Sequence, residues 1–139
     1  MQMRDYKRHT TVAKNKRNDQ NVLRELRRGI YDIIVAKKKY RDRSYTVVRL
    51  TEELHTTRRR VSDVISTTFG MTYRGFVNSF RVLEAKKLLA DDRYSVEDIS
   101  AMVGFGSRNV FCRAFGRVTG MTPRDYRKRA RSEKKGKGA

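Results

Sequence analysis

The chain is 139 residues long with a formal net charge of +19, and 35% of its residues are charged against 37% hydrophobic. A core is possible but thin, and a surface this self-repelling calls for a polyanion, of which nucleic acid is the commonest. One cysteine (Cys112), two histidines (His9 and His55), no apolar run of membrane-span length and no phosphate-binding glycine motif together argue against a disulfide framework, a metal, a cofactor, a membrane segment and a catalytic site.

In chain order, residues 1–20 are polar and basic without apolar periodicity, and read as a flexible arm. From Asn21 the apolar residues Leu23, Leu26, Ile30, Ile33 and Ile34 recur at helical steps, predicting a helix to about Lys38, with Lys37, Lys38 and Lys39 near its end. Thr46 caps a short helix expected to bury Val47, Leu50 and Leu54. His55 and Thr56 break it, and Thr57 caps the next. That helix turns Val61, Val64, Ile65 and Thr68 inward and leaves Arg58, Arg59, Arg60, Ser62 and Asp63 largely outside. A short helix, a tight turn and a second helix with a polar outer face is the helix-turn-helix arrangement.

Gly70 suits a left-handed helix end, and Thr72 caps a long helix with an expected inward set of Phe76, Phe80, Leu83, Ala85, Leu88 and Leu89. Ser95 and Asp98 form a near-capping box for a helix burying Val96, Ile99, Met102 and Val103. Gly104-Phe105-Gly106 is a turn. Ser107 caps a helix expected to bury Val110, Phe111, Ala114 and Phe115 and to expose Arg108, Asn109, Cys112, Arg113 and Arg117. Gly120 ends it, and Thr122-Pro123 with Asp125 starts a last helix; the chain beyond Tyr126, nearly all Arg, Lys, Gly and Ala, is expected to fray, ending in a basic tail at 131–139. The fold class is all-α, with about seven helices.

The chain also repeats itself. Gly70-Met71-Thr72-Tyr73-Arg74 returns as Gly120-Met121-Thr122-Pro123-Arg124, and Tyr45-Thr46-Val47 is echoed by Tyr94-Ser95-Val96 at an offset of forty-nine rather than fifty. The two copies make a first helix-turn-helix subdomain at 21–71 and a second at 91–130, joined by a linker helix at 72–90. The extra residue falls in the Gly104-Phe105-Gly106 turn.

Helices of this kind read DNA because a helix fits the major groove. Arg then pairs with guanine, Asn with adenine, and Ser is permissive. Arg108, Asn109 and Arg113 form the more discriminating set. Arg58 and Arg60 are better suited to phosphate, and Asp63 to an intrahelical ion pair with Arg59 or Arg60. Cys112 reads as a packing or groove-facing thiol. Phe105, Phe111, Phe115, Met71 and Met121 read as core. Few exposed aromatics remain to stack on unpaired bases, which disfavours RNA.

The string Gly104-Phe105-Gly106-Ser107, Phe111, Phe115, Gly120-Met121-Thr122-Pro123, Tyr126-Arg127 resembles the C-terminal signature of AraC/XylS-type transcription regulators. Arg81, Glu84, Ala85, Leu88 and Leu89 match that family's linker helix, and Thr57 to Gly70 its first helix-turn-helix less closely. The resemblance covers about residues 21–130. It implies a sequence-specific double-stranded DNA-binding regulator, an activator by family habit, in the cytoplasm at the nucleoid, with RNA polymerase as a further partner. Base contacts would fall on Arg59, Ser62 and Asp63, then on Arg108, Asn109, Cys112 and Arg113. No small-molecule effector site is expected, since only about twenty residues precede the first predicted helix. The alternative is a non-specific or architectural nucleic-acid binder, for which charge alone suffices.

Overall fold

The computed structural model describes residues 18–137, all of whose regular elements are helical. Helix α1 covers residues 18–31 and widens into a π-turn over Asp32–Ala36. A strap follows: Lys38 in the left-handed region (φ 57°), a 3-10 turn at Lys39–Arg41, and a second turn in which the Tyr45 N–H donates to the Asp42 carbonyl at 3.1 Å, before Thr46. Then come α2 (Val47–Glu53), α3 (Arg58–Phe69), α4 (Tyr73–Leu89), α5 (Val96–Val103), α6 (Arg108–Thr119) and α7 (Pro123–Lys137). Among the described residues, no helix is long and apolar enough to cross a membrane.

Local chemistry sets most of the boundaries. The hydroxyls of Thr46, Thr57, Thr72, Ser95 and Ser107 each accept a hydrogen bond from the backbone N–H three residues on, satisfying an otherwise orphaned donor. Thr122 does the same for Asp125. At α5 the Asp98 carboxylate also reaches back to the Ser95 N–H, completing a capping box. Gly70 and Gly120 end α3 and α6 with positive φ.

Two cores result, and α4 belongs to both. Leu26, Ile30, Ile34, Leu50, Val61 and Ile65 pack with Phe76 and Val77 of the first half of α4. Val82, Ala85 and Leu89 of its second half pack with Ile99, Val103, Phe105, Phe111 and Phe115. Aromatic contacts stitch each core: Phe76 lies 4.8 Å from Phe69 and 5.1 Å from Phe80 between ring centroids. Phe111 stands between Phe105 and Phe115 at 5.3 and 5.6 Å. At about 100° per residue, the two core-facing stripes of α4 lie on nearly opposite sides of that helix.

Several sequence expectations need correction. Leu23 and Thr68 are exposed, because both border an open groove between α1 and α3. Leu83 is 51% exposed: it continues the Phe76–Phe80 stripe beyond the end of the first core, while Val77 and Val82, unforeseen, are buried. Met71, Met102 and Val110 are also exposed, at helix ends and flanks that no neighbouring element covers. Residues 18–20 already belong to α1, so the predicted arm begins its helix early; its remainder lies outside the described residues. The Lys37–Lys39 run sits past the helix, with Lys37 paired to Asp32 at 3.5 Å. The chain does not fray beyond Tyr126 within the described residues. Helix α7 continues to Lys137, supported by Arg129–Glu133 at 3.3 Å and Arg131–Asp92 at 2.5 Å.

The strap holds the two cores together. Arg81, midway along α4, donates from Nε to the Tyr40 carbonyl at 2.6 Å and from Nη1 to Asn78 Oδ1 at 3.2 Å. Its guanidinium lies 5.4 Å from the centre of the Phe105 ring. Beside it, Arg41 forks onto both carboxylate oxygens of Glu84, with Nε–Oε1 at 2.7 Å. Arg43 Nη1 reaches the Gly106 carbonyl at 3.3 Å. Gly104 makes this approach possible. Its φ is 106°, and a Cβ there would stand 2.5 Å from the Tyr40 carbonyl oxygen and 2.7 Å from that of Arg41.

Gly104→Ala should therefore cost about 2–4 kcal/mol, combining backbone strain with the clash, read as a lower urea midpoint. Gly116→Ala, where a Cβ would meet nothing outside its own helix closer than 3.9 Å, is expected to be neutral or stabilising by up to about 1 kcal/mol. Burial opposes ionisation of Glu84, but Arg41's hydrogen bonds and charge outweigh it and hold the carboxyl below its ordinary value of 4.5. The stability it contributes is thus complete above about pH 4.5 and is lost as pH falls through the depressed value. Glu84→Gln should flatten that acid limb in a stability-against-pH titration.

Candidate nucleic-acid interface

Each helix-turn-helix places its second helix outward by the same local device. Leu50 and Ile99 anchor the first helices, α2 and α5. His55 (φ 51°) and Gly104 (φ 106°) turn the chain. The Thr56 and Phe105 N–H groups then donate to the carbonyls of Thr51 and Ser100, both at 2.9 Å. Up to this point the copies run forty-nine residues apart; from Thr57 and Ser107 they run fifty, so Gly106 is the added residue. Ser100 Oγ steadies the longer turn by donating to the Ser107 carbonyl at 3.1 Å.

With that register, Arg59, Ser62 and Asp63 of α3 correspond to Asn109, Cys112 and Arg113 of α6. Opposite each set lie the buried residues Val61, Val64 and Ile65, or Phe111, Ala114 and Phe115. Arg58, Arg59, Arg60, Ser62 and Asp63 are all exposed, as are Arg108, Asn109, Arg113 and Arg117. Cys112 is half-buried and unbonded to another cysteine.

The structure separates these residues into smaller sets. Arg60 turns toward the α1 side, lining a small groove with Leu26, Leu54 and Thr56. Asp63 makes no ion pair with Arg59 or Arg60 among the described residues. It borders a groove shared with Arg24 and Arg27 of α1 instead. Arg108 lies 3.7 Å from Glu97, both well exposed, a pairing worth little in water. Arg113 and Arg117, one turn apart, edge a cleft between α6 and the start of α4.

Not every arginine is free to bind a partner. Arg81 is committed to Tyr40. Arg127 donates from Nε to the Leu89 carbonyl at 3.0 Å and from Nη2 to the carbonyls of Asp91 and Tyr94, docking α7 beneath the end of α4. Arg93 is held by Asp91, whose half-buried carboxyl those hydrogen bonds bring down to about 2. Reasoning from the sequence missed Arg43 and Arg74, which face the same cleft as Arg113. The repeated pair Arg74 and Arg124, at the same place in both copies, was the available signal.

Over residues 50–129 the chain matches the model of a family described as a helix-turn-helix domain. The HTH-type transcriptional activator RhaR of Yersinia pseudotuberculosis is 42% identical over 60 residues. Those residues are 43% of this chain, but the match takes in only 21% of RhaR. Among solved structures, the DNA-binding domain of AdpA, crystallised with a target DNA, superposes with a TM-score of 0.66 at 24% identity, over 80% of this chain and 94% of that one. The transcriptional regulator CdpR of Pseudomonas aeruginosa gives 0.59 at 28% identity, over 69% of this chain and 30% of that one.

Removing a cap tests how firmly α3 and α6 are placed. Thr57→Ala and Ser107→Ala should each cost about 1 kcal/mol in urea unfolding. A loss near zero at Ser107 would show that its side chain does not fix the start of α6.

Proposed function

The chain belongs to the AraC-type helix-turn-helix family, and from that membership we propose that it regulates transcription, as an activator, by reading a specific double-stranded DNA site. It spans about a fifth of the length of the RhaR relatives, so the regulatory activity of a whole protein is inferred here from its DNA-binding portion. One observation carries the reading. Two exposed polar helix faces, in matching register, are fixed to one shared helix in a chain of net charge +19.

In this reading α6 enters one major-groove segment, with Arg108, Asn109, Cys112 and Arg113 toward base edges and Arg117 toward phosphate. Helix α3 enters the next with Arg59, Ser62 and Asp63, while Arg58 and Arg60 contact phosphate. Groove width favours this: the major groove is about 12 Å wide and an α-helix with side chains about 10–12 Å across. Asn109 suits adenine and Arg113 guanine; Asp63 suits the amino group of cytosine. The molecule acts as a binding module rather than an enzyme, in the cytoplasm at the nucleoid, with RNA polymerase as the partner that activation requires.

Non-specific binding is the competing reading, since the charge alone would support it. Selection of duplexes from a random pool followed by footprinting separates the two. The proposal expects two protected sequence blocks about one helical turn apart and a selected site preferred by roughly 10³ or more over bulk DNA. Asn109→Ala and Arg113→Ala should each weaken the selected site by about 1–3 kcal/mol with little effect on random DNA. Equal loss on both duplexes would remove the residue as a base reader.

A further inference from the structure

The cleft between α6 and the first half of α4 has a volume of about 420 Å³. Arg43 of the strap, Arg74, Asn78 and Arg81 of α4, and Arg113 and Arg117 of α6 line it. Five arginines thus line one hollow. Among the described residues none of the five has a carboxylate within ion-pairing distance, although acids elsewhere are matched to Arg41, Arg93, Arg108, Arg129 and Arg131. Arg81 is already bonded to Tyr40 and Asn78 and forms the floor. Arg43 is steadied through Gly106, while Arg74 and Arg117 stand exposed on opposite walls. Mutual repulsion among these side chains is unfavourable in the free protein, and an anion seated among them would relieve it.

We propose that this cleft seats a backbone phosphate of the DNA strand that passes from one reading helix to the other, gripped by Arg43, Arg74 and Arg117. The inference rests on the DNA-reading proposal above and adds to it a site made by neither reading helix alone. Its geometry follows from α6. A helix that fills a major groove has the bounding strands against both flanks, and the flank of α6 facing the first subdomain carries Arg113 and Arg117 at one-turn spacing. Arg113 stands at the rim, where the reading face meets the cleft. Arg43 and Arg74 supply the far wall, so the strand lies between two sets of fork-shaped donors suited to phosphate. Contacts of this kind fix register and orientation without reading sequence.

The test uses the full chain and a duplex selected from a random pool. Binding is measured against salt for wild type, Arg74→Gln and Arg43→Gln, with urea unfolding of each variant alongside. Duplexes bearing single neutral methylphosphonates between the two protected blocks form the second arm. Each substitution is expected to weaken binding on the order of tenfold near physiological salt and to lower the salt slope by about 0.9. The preference for selected over random DNA should hold. A methylphosphonate at the seated position should weaken wild type and cost Arg74→Gln nothing further. If wild type selects a duplex but neither variant changes the slope and no methylphosphonate matters, the cleft holds no phosphate and the DNA reading stands. If no duplex is preferred over random DNA, the DNA reading itself falls. Inorganic pyrophosphate provides the last arm. If it raises the melting temperature of wild type and not of Arg74→Gln while both salt slopes agree, the cleft belongs to a free anion and the proposal is overturned.

Discussion

The architecture turns on one half-buried guanidinium. Burial and the nearby charge of Arg74 draw Arg81 below the ordinary pKa of its type, against a smaller upward pull from Tyr73. A cation taken from water must be repaid by good partners, and Arg81 has three: the Tyr40 carbonyl, the Asn78 side chain and the face of Phe105. Each belongs to a different part of the molecule. Tyr40 is on the strap, Asn78 on α4 itself and Phe105 in the second core. The side chain thereby ties the first core's strap to the turn of the second helix-turn-helix. The Arg41–Glu84 fork and the close approach at Gly104 reinforce the same junction.

That junction also explains how the positive charge is distributed. Arg41, Arg81 and Arg127 satisfy a carboxylate or backbone carbonyls within the protein, and these three positions hold the fold. Arg58 and Arg59 of α3, Arg113 and Arg117 of α6 and Arg74 of α4 are left exposed. Net charge alone therefore overstates what is available to a partner. What matters is which arginines have been relieved of internal duties. The outer faces of α3 and α6 differ in this respect as well: where α6 carries Arg113, α3 carries Asp63, so the copies present opposite charge at the same register.

What the sequence made legible was whatever short-range chemistry decides. Every predicted cap residue caps, because a hydroxyl three residues before an orphan N–H acts locally. The left-handed glycines and the phenylalanine core of the second unit follow the same logic. The inward set of α4 was only partly legible. A single helical stripe was assumed, whereas this helix serves one core with Phe76 and Val77 and another, on almost the opposite side, with Val82, Ala85 and Leu89. Leu83 fell between the two. The strap was not legible at all. Its bonds join residues 41 to 63 positions apart, and no periodicity encodes them. For the same reason Arg43 went unmarked, and Arg74 was signalled only by its repeat at Arg124, while α3 and α6, whose polar faces repeat at helical spacing, stood out.

The sharing of α4 has a thermodynamic consequence. Neither core has a private set of walls: melting the first would release Phe76 and Val77 and free the half of the helix on which Val82 and Leu89 depend. Two neighbouring repeats that own an element in common behave as nearest neighbours in a linear array, with the stability of each raised by the presence of the other. The chain should therefore unfold with more cooperativity than two beads on a tether. Its weakest openings would then lie at the outer elements, α1 and α7, rather than between the two units.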